Sequence, residues 1–181
     1  MSKVLPDVEE NTLVLFTNIA QMMKAQTVLA PLFAEKNKLL LCQYVDGALD
    51  GLVSMFRASR GACLLGCQSL WEGVDFPGDA LKLLVIAKLP FPNPSDPLVA
   101  GIAAEMKERG ENTFKDFFVP EAYMEMRQGL GRLLRSEEDS GKVLILDNRI
   151  VKESYGKTFA RIWNFKHVQA NNVSDIQNFL K

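Results

Sequence analysis

Two arginines carry the strongest chemical signal in the chain. Arg132 and Arg135 close the stretch Gln128-Gly129-Leu130-Gly131-Arg132-Leu133-Leu134-Arg135. A guanidinium keeps its charge and forks onto phosphate oxygens. Three residues apart on a helix, the pair lies on one face, while Leu130, Leu133 and Leu134 repeat at the spacing of a buried stripe. Gly129 and Gly131 each cost about 1 kcal/mol in a helix interior relative to alanine. Such glycines beside two arginines predict that something approaches the backbone closely, and a polyphosphate is the natural candidate. A solvated surface helix with a kink is the other reading, and the octapeptide alone does not separate the two.

The second dense stretch, 66–78, holds Ser69, Trp71, Glu72, Gly73 and Asp75 directly after an apolar run. Glycine lets backbone amides approach phosphate, and Ser69 can donate to it. Asp75 could accept from a ribose hydroxyl or orient an arginine. Trp71 suits core packing better than base stacking. Gly156-Lys157-Thr158 imitates the end of a phosphate-binding loop, but Val151 stands where that loop needs its first glycine. We read it as a surface turn or a helix segment. The chain therefore has arginines that could sense phosphate without the lysine that holds it, which is half of a nucleotide site.

Composition bounds these readings. The 181 residues fit one domain, 1–181, with 48% hydrophobic and 24% charged residues. A net charge of -1 and a pI near 5.9 are unlike a domain that grips DNA alone, so it would supply part of a grip. No run reaches membrane-span length and no signal peptide is visible, so no membrane partner is expected. Cys42, Cys63 and Cys67 sit in or beside apolar runs and read as reduced, buried and cytosolic. With His167 they are too sparse for a metal site.

The elements that must position these residues follow in order. Residues 1–11 read as a frayed lead-in. Apolar runs at 12–16, 39–43, 62–66, 81–88 and 143–147 predict buried strands. Helices are expected over 19–34 capped by Asn18, 47–58 capped by Asp46, and 97–109 opened by Asp96. Pro90-Phe91-Pro92-Asn93-Pro94 reads as a rigid loop, and 111–120, with Phe114, Phe117 and Phe118, as another. A helix over 121–135 bears the arginines, another runs to about 162, and a last spans 173–180. Short buried strands alternating with helices imply an α/β fold with a mainly parallel sheet covered on both faces. Ligands bind such sheets at the carboxyl ends of the strands, which here means 17–18, 43–46, 66–75, 89–93 and 147–149. Phe91 stands at one of those ends, where base stacking and packing are both open. For the Phe114–Phe118 group, packing is the better reading.

The ordered set resembles the second RecA-like motor domain of superfamily 2 DNA helicases, in the DinG branch of the XPD-like group. Residues 13–18 resemble motif IV, 66–75 motif V, and 128–135 motif VI with its Gln-x-x-Gly-Arg-x-x-Arg pattern. Leu89-Pro90-Phe91-Pro92-Asn93-Pro94 resembles a DinG-type signature. The resemblance covers nearly the whole chain. It implies a RecA-like three-layer α/β/α sandwich, of the P-loop NTPase type without its own P-loop.

The resemblance also implies a division of labour. A preceding N-terminal RecA-like domain of the same protein would carry the P-loop and hold ATP and Mg2+ against this one. Arg132 and Arg135 would be arginine fingers, and Gln128 would line the cleft. Glu72, Gly73 and Asp75 would couple nucleotide state to DNA. Thr17, Asn18 and Ser69 would touch phosphates of single-stranded DNA, with Phe91 beside them. The whole protein would be an ATP-dependent DNA helicase or translocase of the bacterial cytoplasm, serving repair or replication, and this domain alone would be inactive. An iron–sulfur cluster, found in many relatives, would lie in the preceding domain and not on Cys42, Cys63 or Cys67. The alternative is a regulatory nucleic-acid-binding motor remnant attached to an upstream 3'-5' exonuclease.

Overall fold

The computed structural model describes residues 1–71, 74, 76, 80–133, 140–160 and 168–180. Five strands form one sheet: β1 (Thr12–Leu15), β2 (Leu40–Cys42), β3 (Cys63–Gly66), β4 (Leu83–Ile86) and β5 (Lys142–Ile145). Their order is β2-β3-β1-β4-β5, and every pairing is parallel. β1 is central, pairing Leu13 with Leu64 on one side and with Leu84 on the other.

The period-two alternation of a strand sorts these apolar residues into two cores. Leu13, Leu15, Leu64, Leu84 and Ile86 enter one cluster with Phe56, Trp71, Met126 and Phe159. Val14, Phe16, Leu65, Leu83 and Val85 enter the other with Met22, Leu29 and Phe33. β1, β3 and β4 are buried at every position, as a sheet covered on both faces requires. The first face is covered by α2 (Leu49–Ala58), α3 (Gln68–Trp71) and α5 (Val119–Leu130). The second is covered by α1 (Ile19–Glu35), with α8 (Val173–Leu180) at its margin. The expected three-layer sandwich is the observed architecture. Among the described residues no helix is long and apolar enough to cross a membrane.

Two caps act as expected. Asn18 accepts from Gln21 N (3.1 Å) at the start of α1, and Asp96 accepts from Leu98 N (2.9 Å) at the start of α4 (Pro97–Glu108). Four local expectations are corrected. The first residues are not frayed: Val4, Leu5 and Val8 are buried in the second core, and Asp7–Lys36 (2.8 Å) and Glu9–Lys38 (2.9 Å) bind the segment to the end of α1 and the residues just after it. Asp46 does not cap α2, because its carboxylate turns back to accept from Cys42 N (2.7 Å). Residues 114–118 are no loop but a turn of π-helix, Phe114–Phe118, running into α5. The helix after β5 is broken into α6 (Arg149–Lys152) and α7 (Gly156–Ala160). The break rests on Gly156, where a Cβ would lie 1.9 Å from the Ile150 carbonyl oxygen.

Candidate functional site

The arginine stretch folds differently from a continuous helix. α5 stops at Leu130, and Gly131 N to Arg127 O (3.0 Å) and Arg132 N to Gly129 O (3.1 Å) close a turn. Arg132 therefore leaves the helical face that the spacing assigned to it. Arg135 lies outside the described residues, as do Glu72, Gly73, Asp75 and His167.

Gly129, three residues before Arg132, has a physical reason other than phosphate. A Cβ on Gly129 would lie 2.7 Å from two ring carbons of Trp71. The close approach is real, but the indole makes it. Trp71 is 2% exposed and donates from Nε1 to Phe16 O (3.1 Å), so it packs in the core as expected. Arg132 completes the unit: its Nε donates to Trp71 O (3.2 Å) and a terminal nitrogen to Val74 O (2.9 Å). The guanidinium thus lies across the segment that follows β3, at the carboxyl edge of the sheet. Gln128 is exposed on the last turn of α5.

The same edge carries an open cleft of about 510 Å³. Thr17 and Asn18, from the end of β1, form one wall, and Lys88 and Phe91, after β4, form another with Arg149. Phe91 is engaged rather than free. It stacks on Phe114 (centroids 5.8 Å apart, 22°), meets Tyr155 edge-on (5.5 Å), and carries Arg149 over its ring at 5.2 Å. Arg149 is held from below by Asp147, with nitrogen–oxygen distances of 3.0 and 2.6 Å. Asp147 also accepts from Leu89 N (3.0 Å) and Arg149 N (3.1 Å). Burial pushes the Asp147 carboxyl up, but the Arg149 side chain and the Leu89 and Arg149 amides outweigh it and hold it below the ordinary 3.8.

Ser69 stands apart from this cleft, exposed on α3, where its Oγ accepts from the Gln43 side-chain amide. The sequence-predicted residues thus form three stations along one edge: Gln128 with Arg132, Ser69, and Thr17 with Asn18 and Phe91. Gln43, Lys88 and Arg149 were not singled out as site residues in the sequence. Their signal was present, since each lies at or just beyond a strand end, but strand ends alone do not say which side chains converge. The three cysteines are buried and free of disulfides. Burial pushes the Cys42 and Cys67 thiols up to about 11 and raises Cys63 as well, so all three remain protonated thiols at neutral pH.

Comparison with known proteins decides the family. Residues 1–165 match the family model described as the helicase C-terminal domain. The chain belongs to the helicase C-terminal domain family. It is 42% identical over 148 residues to the 3'-5' exonuclease DinG of Bacillus subtilis, covering 81% of this chain and 16% of that protein. It is 37% identical over 161 residues to the ATP-dependent DNA helicase YoaA of Haemophilus influenzae, covering 87% of this chain and 24% of that one. It is 38% identical over 164 residues to the ATP-dependent DNA helicase DinG of Photobacterium profundum, covering 86% and 23%. The helicase C-terminal domain thus spans less than a quarter of the length of these three relatives. A solved structure of XPD in its apo form superposes with a TM-score of 0.70 over 94% of this chain and 36% of that one, at 20% identity, and supports the fold.

Proposed function

We propose that this helicase C-terminal domain is the second motor domain of an ATP-dependent DNA helicase of the DinG type. The observation that carries the proposal is the placement at one sheet edge of Arg132, laid across the segment after β3, and of the cleft bounded by Thr17, Asn18, Lys88 and Arg149. A nucleotide-facing cation and a cationic, polar groove on one rigid edge let movement at one be felt at the other.

In this proposal ATP with Mg2+ supplies the phosphoryl group whose hydrolysis drives the motor, held mainly by a first RecA-like domain of the same protein. Arg132 and Arg135 place positive charge on the transferred phosphoryl group, and Gln128 lines the cleft between the domains. Glu72, Gly73 and Asp75 link that cleft to DNA. Thr17, Asn18 and Ser69 contact phosphates of a single strand, and Phe91 supports the track by bracing Arg149. The acidic balance of the domain fits a partial grip that needs its partner, so the isolated domain would neither hydrolyse ATP nor bind DNA tightly. The parent would act in repair or replication in the bacterial cytoplasm.

A second reading is favoured by one finding. The relative in Bacillus subtilis is named a 3'-5' exonuclease. Under that reading this domain regulates an exonuclease elsewhere in the parent and binds nucleic acid without unwinding it. The test is ATP hydrolysis by the intact parent with and without single-stranded DNA, followed by strand separation on a tailed duplex. Stimulated turnover with unwinding supports the helicase. Turnover indifferent to DNA, with nuclease activity and no unwinding, supports the second reading.

A further inference from the structure

Gln43 is a buried polar side chain, 4% exposed, at the carboxyl end of the edge strand β2. Its backbone extends the sheet by one bond, Gln43 N to Leu65 O at 3.0 Å. Its side chain reaches past β3 to the segment that begins α3. There Oε1 accepts from Cys67 N (2.8 Å), and Nε2 meets Ser69 Oγ. The two ends of the amide are not interchangeable. A backbone N–H can only donate, so the end facing Cys67 must be the oxygen, and the end facing Ser69 must be the NH2 group.

That assignment fixes the Ser69 hydroxyl. A hydroxyl has one proton and two lone pairs. With a lone pair occupied by the Gln43 amide, its proton points elsewhere. Two other serines spend the proton locally: Ser54 donates to Asp50 O (2.8 Å) and Ser59 to Met55 O (2.8 Å), each four residues back. Among the described residues, the hydrogen bond of the Ser69 hydroxyl is the one it accepts. Ser69 is exposed, so its proton is presented outward at the carboxyl edge of the sheet.

We infer that Gln43 is a positioning residue that sets Ser69 as an outward hydrogen-bond donor, suited to a phosphate oxygen of a single strand. The inference rests on the proposal that Ser69 touches the DNA backbone, and it adds the residue that decides the direction of that bond. A fixed outward donor suits an acceptor-only ligand such as phosphate, and it avoids the reorientation that a freely rotating hydroxyl undergoes on binding.

The experiment is a double-mutant cycle on the intact parent protein, reading affinity for a single-stranded oligonucleotide. Gln43→Glu is nearly isosteric. Burial favours the neutral carboxyl, so affinity is read at a pH high enough to ionise it; there its carboxylate still accepts from Cys67 N, but it also accepts from Ser69 and turns the hydroxyl inward. Ser69→Ala is expected to weaken binding about tenfold, the scale of one hydrogen bond to a charged group. Gln43→Glu is expected to match it, and to add little once Ser69 is alanine; what remains there is through-space repulsion by the new carboxylate. Lowering the pH until that carboxyl protonates restores a donor toward Ser69 and recovers affinity, but only where Ser69 is present. If Ser69→Ala weakens binding while Gln43→Glu binds as wild type, or if the two losses simply add, the positioning role is wrong and the Ser69 contact stands. If Ser69→Ala binds as wild type, the Ser69 contact itself is wrong and the inference falls with it. Should Gln43→Glu melt far below wild type, Gln43→Met, uncharged and unable to donate, runs through the same cycle with the same non-additivity expected.

Discussion

Arg132 and Arg149 both stand at the carboxyl edge of the sheet, and both are tied down, but to different partners. The described acceptors of Arg132 are two main-chain carbonyls, those of Trp71 and Val74. Arg149 is paired with a carboxylate whose side chain is 7% exposed, while its own remains 43% exposed. Hydrogen bonds to neutral carbonyls are modest and can be exchanged for a phosphate when one arrives. A guanidinium matched to a nearly buried carboxylate is a fixture, because separating the pair strands a buried charge. Under the proposed function, the contrast separates an arginine free to exchange its partners from one that shapes a wall.

The largest expected difference lies in turnover. In the intact parent, Arg132→Ala should lower ATP turnover by about 10³–10⁵-fold, the worth of an arginine finger. Arg149→Ala should leave turnover at saturating DNA within about tenfold, since its partner is a carboxylate of this fold. Equal losses for the two variants, read by steady-state hydrolysis, would dissolve the contrast.

Stability should reverse the ranking. Asp147→Asn is expected to destabilise by about 1–3 kcal/mol, after allowance for the exposed half of Arg149. Urea unfolding of the domain checks it. The sign of the pH dependence follows from the depressed carboxyl of Asp147. Its stabilising contribution is complete above the ordinary value of 3.8 and is lost as pH falls through its lower folded value. Asp147→Asn should therefore flatten the acid limb of the stability curve below about pH 4. An unchanged acid limb would show that the pair adds little.

A smaller loss is expected on the Arg132 side. Gly129→Ala gains helix propensity of about 1 kcal/mol but overpacks the Trp71 ring, for a net loss of about 1–2 kcal/mol. Tryptophan fluorescence should shift with it, because the indole must move; an unchanged spectrum and melting point would mean that the helix end yields instead. The smallest effect belongs to Arg149→Lys. It removes the fork onto Asp147 and weakens the cation–π contact with Phe91, for about 0.5–1 kcal/mol by thermal melting.

How much of this could be read in the residues depends on how local each cause is. β1, β3 and β4 are apolar on both faces, so their runs marked a parallel sheet without ambiguity. Asn18 and Asp96 cap helices that start one residue later, and both were legible. The end of α5 was not. The spacing of Leu130, Leu133 and Leu134 predicts an unbroken helical stripe, whereas α5 ends at Leu130, and the turn after it is accompanied by bonds from Arg132 to carbonyls 61 and 58 residues away. Gly129 announced a close approach, but its partner, Trp71, is equally remote. Phe114, Phe117 and Phe118 lie among polar residues and mimic a loop, since the wider π-turn has no i, i+4 signature. Asp46 looked like a cap for the helix ahead, whereas its partner was four residues behind. Arg149 stood at an evident strand end, yet its character depends on Phe91, brought to it only by the pairing of β4 with β5.

One measurement bears most directly on the role of Arg132. Its removal also breaks the bonds to Trp71 and Val74, so lost turnover alone does not separate a finger from a latch. We would therefore measure single-turnover ATP hydrolysis by the intact Arg132→Ala protein, with single-stranded DNA, as guanidinium ion is added at concentrations too low to unfold it. A cation acting on the transferred phosphoryl group predicts saturable recovery of the rate, with ATP affinity unchanged. A variant that melts as wild type, binds ATP as wild type and stays inactive at every guanidinium concentration would contradict it.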